Sequence, residues 1–186
     1  MNDSVLLQRI ADNDASAYRE LFEQYYDRLR RFAEMHTHSR ELADEIVSDV
    51  FIALWRRRQE ALAIRSLRLY LYTAVKHTAL NYVRTMQRTA TVSLDNVDPG
   101  IRQPFVNPEQ AYVSKEMQQR IFRAIESLPP RCRMVFKLVK EDGLSYKEAA
   151  SLLNLSVSTI DNQLVLAVRK ISQSIFYHFS KDKKKS

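Results

Sequence analysis

Apolar residues recur every three or four positions through nearly the whole chain, and that rhythm breaks off in one place, between residues 89 and 112. A three-to-four spacing puts the apolar side chains on one face of a helix, whereas a half-buried strand needs strict alternation. Between Glu41 and Trp55 the series Leu42, Ile46, Val47, Val50, Phe51 and Leu54 is separated by polar positions and predicts an amphipathic helix. An earlier segment repeats the pattern with Tyr18, Leu21, Phe22, Tyr25, Leu29 and Phe32, and a later one runs from about Arg68 to Arg88 through Leu71, Ala74, Val75, Thr78 and Tyr82. Three or more helices before residue 89 can enclose one small core. Composition agrees: two glycines and five prolines in 186 residues are too few turn formers for a β-sandwich or barrel, and they leave no Gly-rich phosphate loop.

Where the periodicity fails, Pro99, Gly100, Pro104 and Pro108 cluster with Asp95, Asn96, Asp98 and Asn107. A structureless stretch of roughly 20 residues is long for a loop within one domain and favours two domains. Beyond it, Tyr112 to Leu128 reads as helical, Pro129-Pro130 stops the helix, Arg131 to Lys140 resumes it, and Glu141-Asp142-Gly143 turns the chain. The end, Lys181 to Ser186, reads as a frayed basic tail. The expected fold is all-α, with two small helical domains at 1–88 and 113–180 joined by a flexible linker at 89–112 and followed by the tail at 181–186.

A single cysteine, Cys132, can form neither an internal disulfide nor a Cys-based zinc site, which suits a reducing compartment. No apolar run reaches the roughly 20 residues that span a bilayer, and the opening Met-Asn-Asp-Ser is not a signal peptide. The expectation is a soluble, cytoplasmic protein without membrane insertion.

The net charge of +7 is unevenly placed. Residues 1–55 carry 6 basic and 11 acidic groups, residues 56–88 carry 8 and 1, residues 89–112 carry 1 and 3, and residues 113–186 carry 14 and 7. One acidic block and two basic blocks suggest two anion-binding surfaces and one of opposite preference, against the plainer reading of solvated helix faces.

Within the second basic block, Leu144 to Ile160 has the logic of two helices meeting at a tight turn. Ser145 can cap the first, with Glu148 three residues on completing a capping box. Ala149 and Ala150 are small where a second helix must cross closely. Asn154, tolerant of positive φ, stands at the turn, and Ser156 offers the next cap. In the second helix Ile160, Leu164, Ala167 or Val168, and Ile171 form the core stripe. The opposite face shows Ser158, Asp161, Asn162, Val165 and Arg169. Short hydrogen-bonding groups, one apolar contact for a thymine methyl and one phosphate or guanine binder fit a groove-reading helix better than a plain αα-hairpin.

Three stretches resemble the bacterial sigma factors of the sigma-70 family, specifically the short extracytoplasmic-function (ECF) kind. They are Asp44-Glu45-Ile46-Val47-Ser48-Asp49-Val50-Phe51-Ile52-Ala53-Leu54-Trp55, the segment Leu69 to Arg84, and Leu128-Pro129-Pro130-Arg131-Cys132-Arg133-Met134-Val135-Phe136 ahead of the helix-turn-helix. The likeness spans roughly residues 10–178 in the family's order and spacing. It implies a sigma-2 helical bundle at 1–88, a sigma-4 helix-turn-helix domain at 113–180, and binding to core RNA polymerase and promoter DNA. It also implies an anti-sigma factor as partner, while polymerase itself makes the phosphodiester bond.

Each block then acquires an expected role. Glu41, Glu45 and Asp49 lie four apart and share a helix face with Asp44 beside them, and the resemblance makes this the surface that grips the polymerase clamp. A carboxylate metal site is disfavoured, since no Glu-x-x-His pair exists and His36 and His38 do not stack on one face. For minus-ten DNA the resemblance points to the block Arg56 to Arg88: Arg65, Arg68, Tyr72, Lys76, His77, Arg84 and Arg88, with Arg56, Arg57 and Arg58 as further phosphate partners. Tyr70, Tyr72 and Tyr82 offer rings, although Tyr70 and Tyr72, two apart on a helix, cannot both face DNA. The family holds a flipped base in the loop here at about Gln59 to Ser66. His77 stands where the family commonly has Asn, and Asn81 where it has Asp. For minus-thirty-five DNA the residues are Ser158, Thr159, Asp161, Asn162, Val165 and Arg169. Because Asp161 and Leu166 replace the Arg or Lys of many relatives, a different element is expected. Cys132 reads as a small buried hydrophobe. No cofactor or catalytic constellation is expected; the competing readings are a helix-turn-helix regulator without sigma activity and, more distantly, a nuclease.

Overall fold

The computed structural model describes residues 3–89 and 115–182, with side chains for 3–86 and 116–175. The expected linker beyond Thr89, and residues 183–186 of the expected tail, lie outside the described residues. All regular structure among those described is helical, and the chain divides into two units, within Met1–Pro99 and Gly100–Ser186.

The first unit contains α1 (Asp3–Ala11), α2 (Ala15–Thr37), α3 (Arg40–Arg56), a single 3-10 turn (Glu60–Ala63) and α4 (Leu67–Thr89). Helix boundaries follow the chemistry of the caps. The Asp14 carboxylate accepts from the backbone N–H groups of Ser16 and Ala17, Ser39 accepts from Leu42, and Ser66 from Leu69. Helix α2 ends at His38, which takes the left-handed conformation (φ 54°) and donates its N–H to Glu34. Three helices supply most of the core: Leu21, Tyr25, Leu29 and Phe32 of α2, Ile46, Val47, Val50, Phe51 and Leu54 of α3, and Leu67, Leu71, Tyr72, Val75 and Ala79 of α4 are all buried. Each large apolar side chain so buried contributes about 1.5–3 kcal/mol. Helix α1, not anticipated from the sequence, adds Leu6, Leu7 and Ile10. Its C-terminal carbonyl at Ala11 accepts from Gln59 Nε2 at 2.7 Å, tying it to the loop before α4.

The second unit contains α5 (Lys115–Glu126), α6 (Pro130–Phe136), a π-helical continuation (Lys137–Glu141), α7 (Tyr146–Leu153) and α8 (Val157–Asp182). Pro130 begins α6, where its missing N–H costs nothing. Glu126 at the end of α5 receives Arg133 at 2.8 Å and Lys137 at 2.7 Å, so the two prolines turn the chain under an ionic clasp. Gly143 at φ 73° makes the next turn, and Leu144 N–H then donates to Leu138. The capping box forms as the spacing predicts: Ser145 Oγ accepts from Glu148 N–H, and the Glu148 carboxylate accepts from Ser145 N–H. Asn154 adopts φ 54°, ψ 49°, and Ser156 caps α8 through Thr159 N–H. Ala149 and Ala150 are both buried, and Ala167 rather than Val168 completes the stripe of Ile160 and Leu164. Leu128, Cys132 and Ala167 pack together with Phe136 and Ile171 against them. Cys132 Sγ also donates to Gln163 Oε1 at 2.8 Å, which pins α6 to α8.

Candidate protein and nucleic-acid interfaces

The outer face of α3 carries Glu41, Glu45 and Asp49, all exposed, with Asp44 half-buried on the side toward α2. Ser39 Oγ donates to Glu41 at 3.1 Å. Asp44 receives the Tyr26 hydroxyl at 3.0 Å, Arg30 at 3.6 Å and Arg40 at 3.9 Å. Glu45 and Asp49 face the other way, toward α4, and lie 3.1 and 3.0 Å from the hydroxyl of Tyr82. The bond to Asp49, partial burial and the bond to Glu45 together push that phenol up to about 12. Ile52, 47% exposed, lies at the C-terminal end of this acidic face, and sequence reasoning passed over it. The available signal was that Ile52 is a large apolar side chain out of step with the core stripe.

On α4 the core takes Leu67, Leu71, Tyr72, Val75 and Ala79, which leaves Tyr70, Thr73, His77, Asn81 and Arg84 along the opposite face. This corrects one expectation: Tyr72 is 0% exposed, its ring edge-on to Phe32 at 5.0 Å, and it has no surface to offer a base. Tyr70, 39% exposed, holds the outward position two residues away. Arg65, His77 and Arg84 are exposed; Arg68 and Lys76 are half-buried on the flank. Arg68 hydrogen-bonds the buried phenol of Tyr25, and Lys76 lies near His36, whose imidazole is held below its ordinary value by burial first and by Lys76 and His38 second. The helix backbone includes Arg88, whose side chain is outside the described residues. Arg56 and Arg57 are exposed, whereas Arg58 donates to Trp55 O at 3.1 Å and lies 4.9 Å from the Trp55 ring centre, a cation–π contact. In the loop before α4, Ala61 is buried while Leu62 and Arg65 are exposed.

On α8, Ser158, Asp161, Asn162, Val165 and Arg169 are all exposed, so the residues expected to read a groove stand together on one helix. Thr159, also in the expected set, is placed differently from its neighbours. It is half-buried and its hydroxyl lies 2.8 Å from that of Ser156, within the cap. Leu166 and Val168 add exposed apolar surface beside Val165, which is 60% exposed. No helix among the described residues is long and apolar enough to cross a membrane.

Comparison with known proteins finds matches in both units. The family model described as Sigma-70 region 2 matches residues 21–89, and that described as Sigma-70, region 4 matches residues 118–171. The ECF RNA polymerase sigma-E factor of Escherichia coli (strain K12) is 28% identical over 94% of this chain and 95% of its own, and that of Haemophilus influenzae is 23% identical over 94% and 96%. Among solved structures, the sigma factor RpoE in complex with the anti-sigma factor NepR from Bartonella quintana aligns with a TM-score of 0.57 at 19% identity, covering 85% of this chain and 96% of that one. CnrH in complex with the cytosolic domain of CnrY aligns at 0.54 and 20%, covering 92% and 95%. The chain belongs to the sigma-70 family, as an alternative sigma factor of the ECF type.

Proposed function

We propose that the α3 face formed by Glu41, Asp44, Glu45 and Asp49 grips core RNA polymerase while the adjacent α4 face receives the minus-ten promoter element. The observation that carries this reading is the proximity of opposite charges within one small bundle: carboxylates crowd the outside of α3, and Arg65, His77 and Arg84 line the outside of the loop and helix that follow. A basic protein partner and a polyanion would each find a complementary surface. Tyr70 takes the stacking role first expected of Tyr72, and Arg68 and Lys76 supply charge at the flank. Capturing an unstacked base on such a ring is worth about 1–3 kcal/mol.

In the second unit, Ser158, Asp161, Asn162, Val165 and Arg169 read the minus-thirty-five element, with Asp161 accepting from a cytosine amino group. The functional division is then 1–88 for polymerase and the minus-ten element, 113–180 for the minus-thirty-five element, a linker at 89–112 and a basic tail at 181–186. The protein works in the cytoplasm, where an anti-sigma factor holds it inactive; the solved relative in complex with NepR supports that partner class. Polymerase performs the chemistry of bond formation.

The test is reconstituted transcription with core polymerase free of other sigma factors. Specific initiation is expected with the wild-type chain, and replacement of Glu41, Glu45 and Asp49 by Ala should weaken core binding without unfolding the bundle. Promoter-specific duplex binding with no initiation under any condition would instead identify a helix-turn-helix regulator.

A further inference from the structure

The acidic face of α3 is held from both sides by phenols. From α2, the Tyr26 hydroxyl donates to Asp44 Oδ1 at 3.0 Å; from α4, the Tyr82 hydroxyl stands 3.0 Å from Asp49 Oδ2 and 3.1 Å from Glu45 Oε1. Both tyrosines are half-buried, and the Tyr26 ring is stacked on Phe22 at 4.5 Å, which restricts it; a hydroxyl carried on a stiff aromatic side chain gives the carboxylates a point to anchor to. The like charges of Glu45 and Asp49, one helical turn apart, would otherwise swing away from each other. A phenol has one O–H, which rotates to donate to either carboxylate, so both are drawn toward the same oxygen.

We propose that Tyr26 and Tyr82 are positioning residues of the polymerase-binding surface, fixing the carboxylates of Asp44, Glu45 and Asp49 in the geometry that a basic partner meets. Tyr82, a candidate ring for DNA on sequence grounds, thus serves the protein interface. The inference rests on the reading that these carboxylates bind core polymerase, and its energetic logic is preorganisation: side-chain freedom is removed before binding rather than during it.

The experiment measures the affinity of the full-length chain for core polymerase at physiological salt, by fluorescence anisotropy. The wild type is compared with Tyr26→Phe, Tyr82→Phe, the pair Glu45→Ala/Asp49→Ala, and that pair combined with Tyr82→Phe. Each phenylalanine keeps the ring and deletes only the hydroxyl. Tyr82→Phe and Tyr26→Phe should each weaken binding about three- to tenfold. On the Glu45→Ala/Asp49→Ala background, where nothing is left to position, Tyr82→Phe should add less than about twofold. A merely structural role would persist on that background, and equal weakening there overturns the proposal. Wild-type affinity for Tyr82→Phe alongside weak binding by the alanine pair also overturns it while leaving the interface reading intact. Wild-type affinity for the alanine pair removes the interface reading itself.

Discussion

Tyr82 and His36 sit in surroundings that shift their proton affinity in opposite directions. The Tyr82 phenol loses its proton only near pH 12, because Asp49 and Glu45 accept from the protonated form. A folded value above the ordinary 10 contributes stability that is fully present below pH 10 and is lost as the pH rises through about 12. Ultraviolet titration of Asp49→Asn should therefore show one phenol moving back toward 10, and an unchanged curve would mean that the carboxylate does not set it. His36 works in the opposite sense. Its imidazole packs edge-on to Phe32 at 4.9 Å, and burial, Lys76 and His38 depress its affinity for a proton. Protons then bind the unfolded chain more readily, so the first unit should lose stability as the pH falls below about 6.5, the imidazole's ordinary value. Urea denaturation at pH 7.5 and 5.5 measures that loss, which His36→Asn should shrink. Asp14 does not confound this window. Its carboxylate, bonded by Ser16 and Ala17, lies well below the usual range and gives way only in stronger acid.

At the scale of helices, the turn between α7 and α8 depends on one residue in the left-handed region. Replacing Asn154 (φ 54°) by Ala should cost about 1 kcal/mol, whereas Gly should cost little or stabilise, as read by thermal melting of the second unit. This turn was legible in advance because each of its parts is local: the capping box, the two alanines, Asn154 and Ser156 lie within a dozen residues and act on their own backbone. The periodicity of α2, α3 and α4 was legible for the same reason, and their observed ends fall within a few residues of the expected ones. Helix α1 was overlooked although Leu6, Leu7 and Ile10 have the right spacing, since nine residues give periodicity little room. The choice between Tyr70 and Tyr72 was not local. Helical geometry says only that they diverge; the burial of Leu71, Val75 and Ala79 against α2 and α3 decides which one turns inward. The phenol clasps on Asp44, Glu45 and Asp49 join residues 18 to 37 positions apart, and no sequence spacing announces such pairs.

On the scale of the whole molecule, the two units have separate cores, one drawn from Leu6 to Ala79 and the other from Ala124 to Ala167. Fragments covering 1–99 and 100–186 should each show helical circular dichroism and a cooperative melt, and a fragment that stays unfolded would mean its core is incomplete alone. The division also has a consequence in time. Helical bundles with short connections bring near neighbours together and fold in microseconds to milliseconds. A ribosome adding about 5–20 residues per second needs roughly 5–20 s to make the remaining half of the chain after residue 99. The first unit, acidic face included, is therefore expected to finish folding while the helix-turn-helix is still being translated, so a partner for that face can meet it before the second unit exists.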